Sequence, residues 1–507
     1  MKTMKVKAFL LAIPLLLTGL TGCGGNNDEP QPSSDQSNTT SDTSAAPSVK
    51  AVTVKFWHTF GQTVVDGLKA KIEAFSKLVK EQEGVDVTID MKYQGGYDDI
   101  AKKIADGYAV MNTPTIAVAY PDNVADYIEV GKSANAEYVV NLDKFIKSSE
   151  VGFGKEKWLG DKYDEEDFIE DFYAEGSAYT LEGTYSLPFL KSTEIMFYNM
   201  DILVDVMRTY KPEFNNSKTK IKEYMSRLTW DDFIALCTYV KTDIMVKPDY
   251  NVLEVPMWYD SDANLFVTKM YQNKIPYSSI ENGKGKIGFK DGENFNKTVD
   301  MLDSFRQLYA DGIMLTKGIK NTYGSDYFTG EKCLFSIGSS GGSGYNFPQA
   351  DAFELGVCRV PASNNNPLYV SQGPTLAMFN DRGLSEEVNN ATQLYAWKFM
   401  KYITNGQINA EICVNGSEGY VPVRHSAYET AFFQEFMEEG ERYAMCYKVV
   451  VDDVNSDAGY LVSPAFKGSA ALRDECGSLL TAALNAANKE AIPALVNTCV
   501  NNAALKM

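Results

Sequence analysis

Apolar and polar residues alternate over AVTVKFW (Ala51 to Trp57), and apolar positions then recur every three to four residues from Val64 until Gly84. The first period predicts a strand and the second an amphipathic helix with a glycine stop. VDVTIDMKY (Val85 to Tyr93) repeats the strand pattern, YDDIAKKIADGYA (Tyr97 to Ala109) the helical one, and TPTIAVAYPD (Thr113 to Asp122) reads as a short apolar strand. Strand, helix, strand, helix, strand predicts a parallel sheet with right-handed crossovers. Ligands of such sheets sit beyond the carboxyl ends of the strands. Those ends carry Trp57, His58, Tyr97, Tyr120 and Asp122. Any one of these alone is an ordinary aromatic loop; together they mark a mouth.

The pattern breaks at the start of the chain. Lys2, Lys5 and Lys7 precede a largely apolar stretch from Ala8 to Leu20. That run falls short of the roughly 20 residues a membrane span needs, but it suits a secretory signal. It closes on Leu20-Thr21-Gly22-Cys23, which resembles the bacterial lipobox, where the cysteine thiol takes a diacylglyceryl group and the chain is cut just before it. Residues 1–22 are therefore expected to be a lipoprotein signal peptide, with Cys23 the lipidation site. Gly24 to Ser48 holds no large apolar residue, so burial cannot offset the entropy of ordering it. Residues 23–50 read as a flexible tether holding the folded part to the outer face of a bacterial cell membrane.

Composition narrows the function. Of 507 residues, 44% are apolar and 12% aromatic, as in an ordinary globular protein, and the formal charge of −19 disfavours nucleic acid. The seven cysteines after Cys23 form no CxxC pair, which predicts buried thiols, with one disulfide left open. With only His58 and His425, a histidine-based triad or zinc site has few candidates. There is no Gly-x-Ser-x-Gly elbow, P-loop or HExxH. No catalytic residue, metal or cofactor is expected. Eight acidic residues crowd Asp161 to Glu175; they read as a solvated helical face, since no Asp-x-Asp-x-Asp-Gly loop supports calcium.

Longer stretches carry a resemblance. VKFWHTFG and GGYDDIAKKIADGYAVMNTPTIAVAY are similar to the opening of family 1 extracellular solute-binding proteins, the receptors of ABC-type sugar importers. YSLPFLKSTEIMFYNMDIL, LTWDDFIALCTYVK, YFTGEKCLFSIGSSGG, ELGVCRVPASNNNPLYVSQGPTLAMF and AWKFMKYITNGQINAEICVNGSEGYVPVRHSAYE follow in that family's order. The likeness covers Ala51 to Met507. It implies an α/β, two-lobe periplasmic-binding-protein-like fold (type II), each lobe a central sheet flanked by helices, joined by crossing hinge strands. Lobe one would comprise residues 51–188 and 371–415, and lobe two residues 191–370 and 420–507. The crossings would fall at SLPFLKSTE, LYVSQGP and GSEGYVP.

By the same resemblance, the cleft holds a carbohydrate, with an ABC permease as partner and a monomeric state. A sugar presents an apolar face and a hydroxyl rim, which aromatic platforms and polar side chains match. The candidate platforms are Trp57, Tyr97, Tyr120, Trp258, Tyr259, Tyr345 and Tyr420. Asp122, Gln372 and Arg424 are candidate hydrogen-bond partners, joined by His58 at the end of the first strand and by Ser192, Ser339, Ser340 and Gly373 along the crossings and the glycine loop. Trp230 and Trp397 lie inside helical patterns and read as core. The glycerol-3-phosphate and glycerophosphodiester receptors share FWHTFG, GGYDD and SLPFLKSTEIMFYN, and GSSGGSGY with Arg424 would then bind phosphate. A surface glycan hydrolase is the rival from another class, because two carboxylates suffice for that chemistry.

Overall fold

The computed structural model describes residues 49–349, 352–417, 419–439, 442–456 and 458–507; the signal-like run, Cys23 and most of the tether lie outside the described residues. Strands β1 (Ala51–His58), β2 (Asp86–Tyr93) and β3 (Ile116–Ala119) pair in parallel, joined by helices Gln62–Glu83 and Tyr97–Val110 as the periodicity predicts. The first helix buries Val64, Leu68, Phe75 and Val79 on one face and ends at Gly84, whose left-handed φ of 73° lets its N–H reach the Lys80 carbonyl.

β4 (Ser186–Pro188) and β13 (Thr375–Met378) complete this sheet in the order β2-β1-β3-β13-β4, with β13 antiparallel to β3 and β4. A second sheet takes β5 (Glu194–Asn199), β6 (Val255–Tyr259), β9 (Met314–Thr316), β10 (Cys333–Ser339) and β11 (Leu355–Arg359) in the order β11-β5-β10-β6-β9. β6 runs parallel to β9 and β10, whereas β5 is antiparallel to β10 and β11. A hairpin of β7 (Ser278–Glu281) and β8 (Lys284–Ile287) and a pair of β12 (Leu368–Val370) and β14 (Gly459–Leu461) stand apart. Every residue of β3, β4, β5 and β6 is buried, as strands covered on both faces require.

The chain passes between the sheets at Phe189–Thr193, Ser371–Pro374 and around Tyr420, and these passages are stitched together. Ser192 and Gln372 exchange backbone hydrogen bonds of 3.0 and 2.8 Å, and Lys191 and Val421 bonds of 3.3 and 2.7 Å. Gly373 lies in this knot with φ +89°, and a Cβ there would stand 2.0 Å from the Leu190 carbonyl oxygen, so only glycine fits.

The acidic segment departs from the solvated helix that its composition predicts. It folds into short turns, with Glu170–Ala174 its only α-helix, and Glu156, Asp161 and Glu175 are buried. Helix Glu386–Ile403 supplies the reason: its buried Lys401 bonds Glu156 at 2.7 Å and Asp161 at 3.0 Å, and Lys398 bonds Glu156 at 2.8 Å. Buried ammonium groups need counter-charge, and the acidic segment provides it. All seven described cysteines are buried thiols; Cys476 and Cys499 lie 4.0 Å apart, Sγ to Sγ. Trp230 and Trp397 belong to the core, as read from their helical patterns. Among the described residues, no helix is long and apolar enough to cross a membrane.

Candidate functional site

The strand directions place one edge of each sheet at a common cleft. From the first sheet come the residues following β1 and β3 and those preceding β13. From the second come the carboxyl ends of β6 and β10 and, because β5 is antiparallel to β10 with Glu194 opposite Ser339, the amino end of β5. Two adjoining cavities occupy this cleft, about 670 and 370 Å³, and they share Ser261, Asn264 and Gln372 as walls. Their joint size suits a ligand of several rings.

In the smaller compartment Tyr97 and Tyr120 lie with ring centroids 4.5 Å apart, beside Asp122 and facing Arg473 and Asn264 across the cleft. Burial pushes both tyrosine hydroxyls up, so they remain neutral donors; Tyr97 is hydrogen-bonded to Thr59, and Tyr120 to the Gly373 backbone. The Gln372 Oε1 and Ser371 Oγ atoms are buried against this compartment with no hydrogen-bond partner among the described residues. Buried polar atoms are nearly always satisfied, so these two point to what a ligand would supply.

The larger compartment is floored by Glu194 and Asp260 and rimmed by Tyr323, Ser339 and Tyr345. Glu194 is 4% exposed; Tyr259 Oη donates to its Oε2, and Asn264 Nδ2 donates to its Oε1 at 3.1 Å. Arg473 in turn donates to Asn264 Oδ1, so a chain of hydrogen bonds runs from one compartment to the other. Asp260 accepts the Gly324 N–H at 2.6 Å. Burial raises the Glu194 carboxyl to about 7 and the Asp260 carboxyl to about 6. Tyr345 is 69% exposed, available as a platform, whereas Tyr323, 55% exposed, already carries Lys317 over one face of its ring. Among the described residues, no group of His, Cys, Asp and Glu is placed to hold a metal ion.

Of the residues expected from sequence, Tyr97, Tyr120, Asp122, Ser339, Tyr345 and Gln372 line the cleft, and Gly373 contributes backbone at its hinge side. Tyr420 stands over Gly341 and close to Tyr97. The other seven do not line the two cavities. Trp57 and His58 are buried because β1 is central; His58 stacks on Phe60 at 5.5 Å, accepts the Phe60 N–H at Nδ1, and is held down to about 4 by burial, hence neutral. Trp258 is wholly inside the second sheet's core, 4.3 Å from the Tyr327 ring. Tyr259 is also fully buried and serves to hold Glu194. Ser192 and Ser340 sit one layer back: Ser192 Oγ accepts from Ser339 Oγ at 3.2 Å, and the Ser340 N–H bonds the Thr193 carbonyl at 2.7 Å.

Arg424 is 2% exposed and faces away from the cleft. It donates to the Thr404 and Asp164 carbonyls at 2.8 and 3.0 Å, pairs with Asp167, and lies 3.8 Å from the Phe168 ring centroid. The cleft's arginine is instead Arg473, on helix Ser469–Leu484. Sequence reasoning also passed over Glu194, Asp260, Asn264 and Tyr323. A glutamate opening the apolar strand EIMFYN and an aspartate at the carboxyl end of β6 were the signals available; nothing local marks Asn264 or Arg473.

The sequence profile of bacterial extracellular solute-binding proteins matches residues 72–438. A comparison with curated proteins finds no sequence match. Among solved structures, the GacH receptor of Streptomyces glaucescens GLA.O, determined unliganded and with acarbose and an acarbose homolog, is 17% identical with a TM-score of 0.61, over 89% of this chain and 98% of its own. The cyclic α-maltosyl-1,6-maltose binding protein of Arthrobacter globiformis is 16% identical with a TM-score of 0.63, over 89% and 99%. UgpB of Mycobacterium tuberculosis, in complex with glycerophosphocholine, is 14% identical with a TM-score of 0.60, over 89% and 97%. At these identities the likeness speaks for the fold.

Proposed function

Because the chain belongs to the bacterial extracellular solute-binding proteins, we propose that it captures an oligosaccharide in the cleft and delivers it to the permease of an ABC-type importer. The observation that carries this reading is a pair of buried, unpartnered acceptors, Gln372 Oε1 and Ser371 Oγ, set against the Tyr97–Tyr120 aromatic pair. A sugar ring covers the aromatic faces while its hydroxyls donate to those acceptors. A glycerophosphodiester fits less well: Asp98, Asp122, Asp260, Asp326 and Asp474 line the cavities, and Arg473 is already engaged by Asn264. Capture rather than hydrolysis is the role assigned.

The lobes are taken as residues 51–188 with 371–415 and 191–370 with 420–507, closing on ligand about the stitched crossings. Attachment through lipid on Cys23, with a monomeric protein at the extracellular face of the bacterial cell membrane, completes the proposal; loss of fatty-acid label from Cys23→Ala checks the anchor. A thermal-shift screen of saccharides and glycerophosphates tests the ligand class, since saturation at 100 times Kd adds about 2.7 kcal/mol. Stabilisation by glycerophosphates alone would overturn the carbohydrate assignment.

A further inference from the structure

We infer that the larger compartment recognises a protonated amine carried on the saccharide, so that the preferred ligand is an amino sugar; this rests on the carbohydrate reading above. Two carboxyls form its floor, and each is met only by neutral donors. Glu194 has the Tyr259 hydroxyl and the Asn264 amide, and Asp260 has the Gly324 N–H. Neither forms an ion pair among the described residues. A third carboxyl, Asp326, accepts from the Thr322 hydroxyl at 3.0 Å. Carboxylates taken out of water without a cation are destabilising, and an incoming ammonium removes that penalty.

The compartment already shows how it holds an ammonium. Lys317, the one cationic side chain among its described lining residues, lies with Nζ 3.8 Å from the centroid of the Tyr323 ring. Tyr345 offers a second exposed aromatic face. Aromatic faces together with carboxylates form a recurrent receptor for amine ligands. An ammonium also brings three donors, enough for Glu194 and Asp260 together, whereas a hydroxyl donates once and carries no charge.

The electrostatics agree. The charged groups facing Glu194 are Arg473, Asp260 and Lys269, and those facing Asp260 are Lys317 and Asp326. Burial dominates over all of them, leaving both carboxyls partly protonated near neutrality. A bound ammonium draws them to the ionised form, so capture of an amine already protonated in solution releases protons.

Calorimetry on the protein with glucosamine oligomers, their N-acetylated counterparts and maltooligosaccharides of equal length tests this. The free amine should bind roughly ten-fold tighter at neutral pH and lose that advantage in high salt. Buffers of differing ionisation enthalpy should reveal proton release with the amine only. Asp260→Asn and, at an exposed position that leaves the core untouched, Tyr323→Leu should each shrink the preference. Equal or tighter binding of acetylated or neutral sugars, or variants that leave the preference intact, overturns the inference while the carbohydrate reading stands. Failure of every saccharide in the wider screen to bind removes that reading, and this inference with it.

Discussion

Between Glu156 and Asp171 three carboxylates meet cations from the fold itself: Lys401 lies between Glu156 and Asp161, and Arg424 reaches Asp167. In the cleft, Glu194 and Asp260 are also withdrawn from water, but they meet hydroxyl, amide and backbone donors instead. Both regions are acidic, and only one is neutralised internally. A carboxylate with a built-in counterion is committed to holding the chain together. One without it keeps a raised proton affinity and an unmet demand that a ligand can answer. Charge density by itself therefore does not distinguish a structural region from a receptive one; the partners do.

The largest expected effect lies in the committed region. Lys401→Met leaves Asp161 buried without a cation and Glu156 with Lys398 alone, and should lower stability by about 3–5 kcal/mol, read as a shifted denaturant midpoint with ligand affinity unchanged. A change under about 1 kcal/mol would mean that the segment is held by something other than its ion pairs.

Arg424→Ala and Arg473→Ala divide the two regions more finely. The former should cost about 2–3 kcal/mol of stability through lost bonds to Thr404, Asp164 and Asp167 and leave affinity alone. The latter should weaken ligand binding and spare the fold. Calorimetry paired with denaturation decides; reduced affinity in a fully stable Arg424→Ala protein would return that arginine to the cleft.

Glu194 supplies a pH signature. Its folded value of about 7 stands above the unfolded 4.5, so the folded state binds more protons in that interval. Its contribution is intact below pH 4.5 and is lost as pH rises through 7. The stability of the ligand-free protein relative to Glu194→Gln should thus fall by about 1–3 kcal/mol between acid and mildly alkaline pH. A flat difference would show that Glu194 titrates in the folded protein as it does in the unfolded chain. The smallest effect is expected from Tyr345→Ala, which should weaken binding by about 1 kcal/mol through loss of an exposed platform with no change in unfolding. If it destabilises the protein instead, the ring belongs to structure.

The period of the apolar pattern was enough to read β1, β2, β3 and their helices, because burial on one face imposes a repeat that stays local in sequence. Tyr97, Tyr120 and Asp122 were legible for the same reason: strand ends in such a sheet face the cleft. Trp57 and Trp258 misled because a large aromatic residue suits a platform and a core equally well, and only the packing around it decides. The acidic segment misled in the same way, since its lysine partners lie more than 200 residues further along the chain.

What the sequence by itself determined is the alternation of elements, the family resemblance and the tyrosine-rich mouth, all carried by residues close in the chain. Which arginine lines the cleft, and which carboxylates form no ion pair among the described residues, was decided by tertiary structure alone. Arg473, Asn264 and Glu194 form their hydrogen-bonded chain from three separate elements. Charge neutralisation acts through space over a few ångströms, and no local pattern of residue types records which distant group will arrive there.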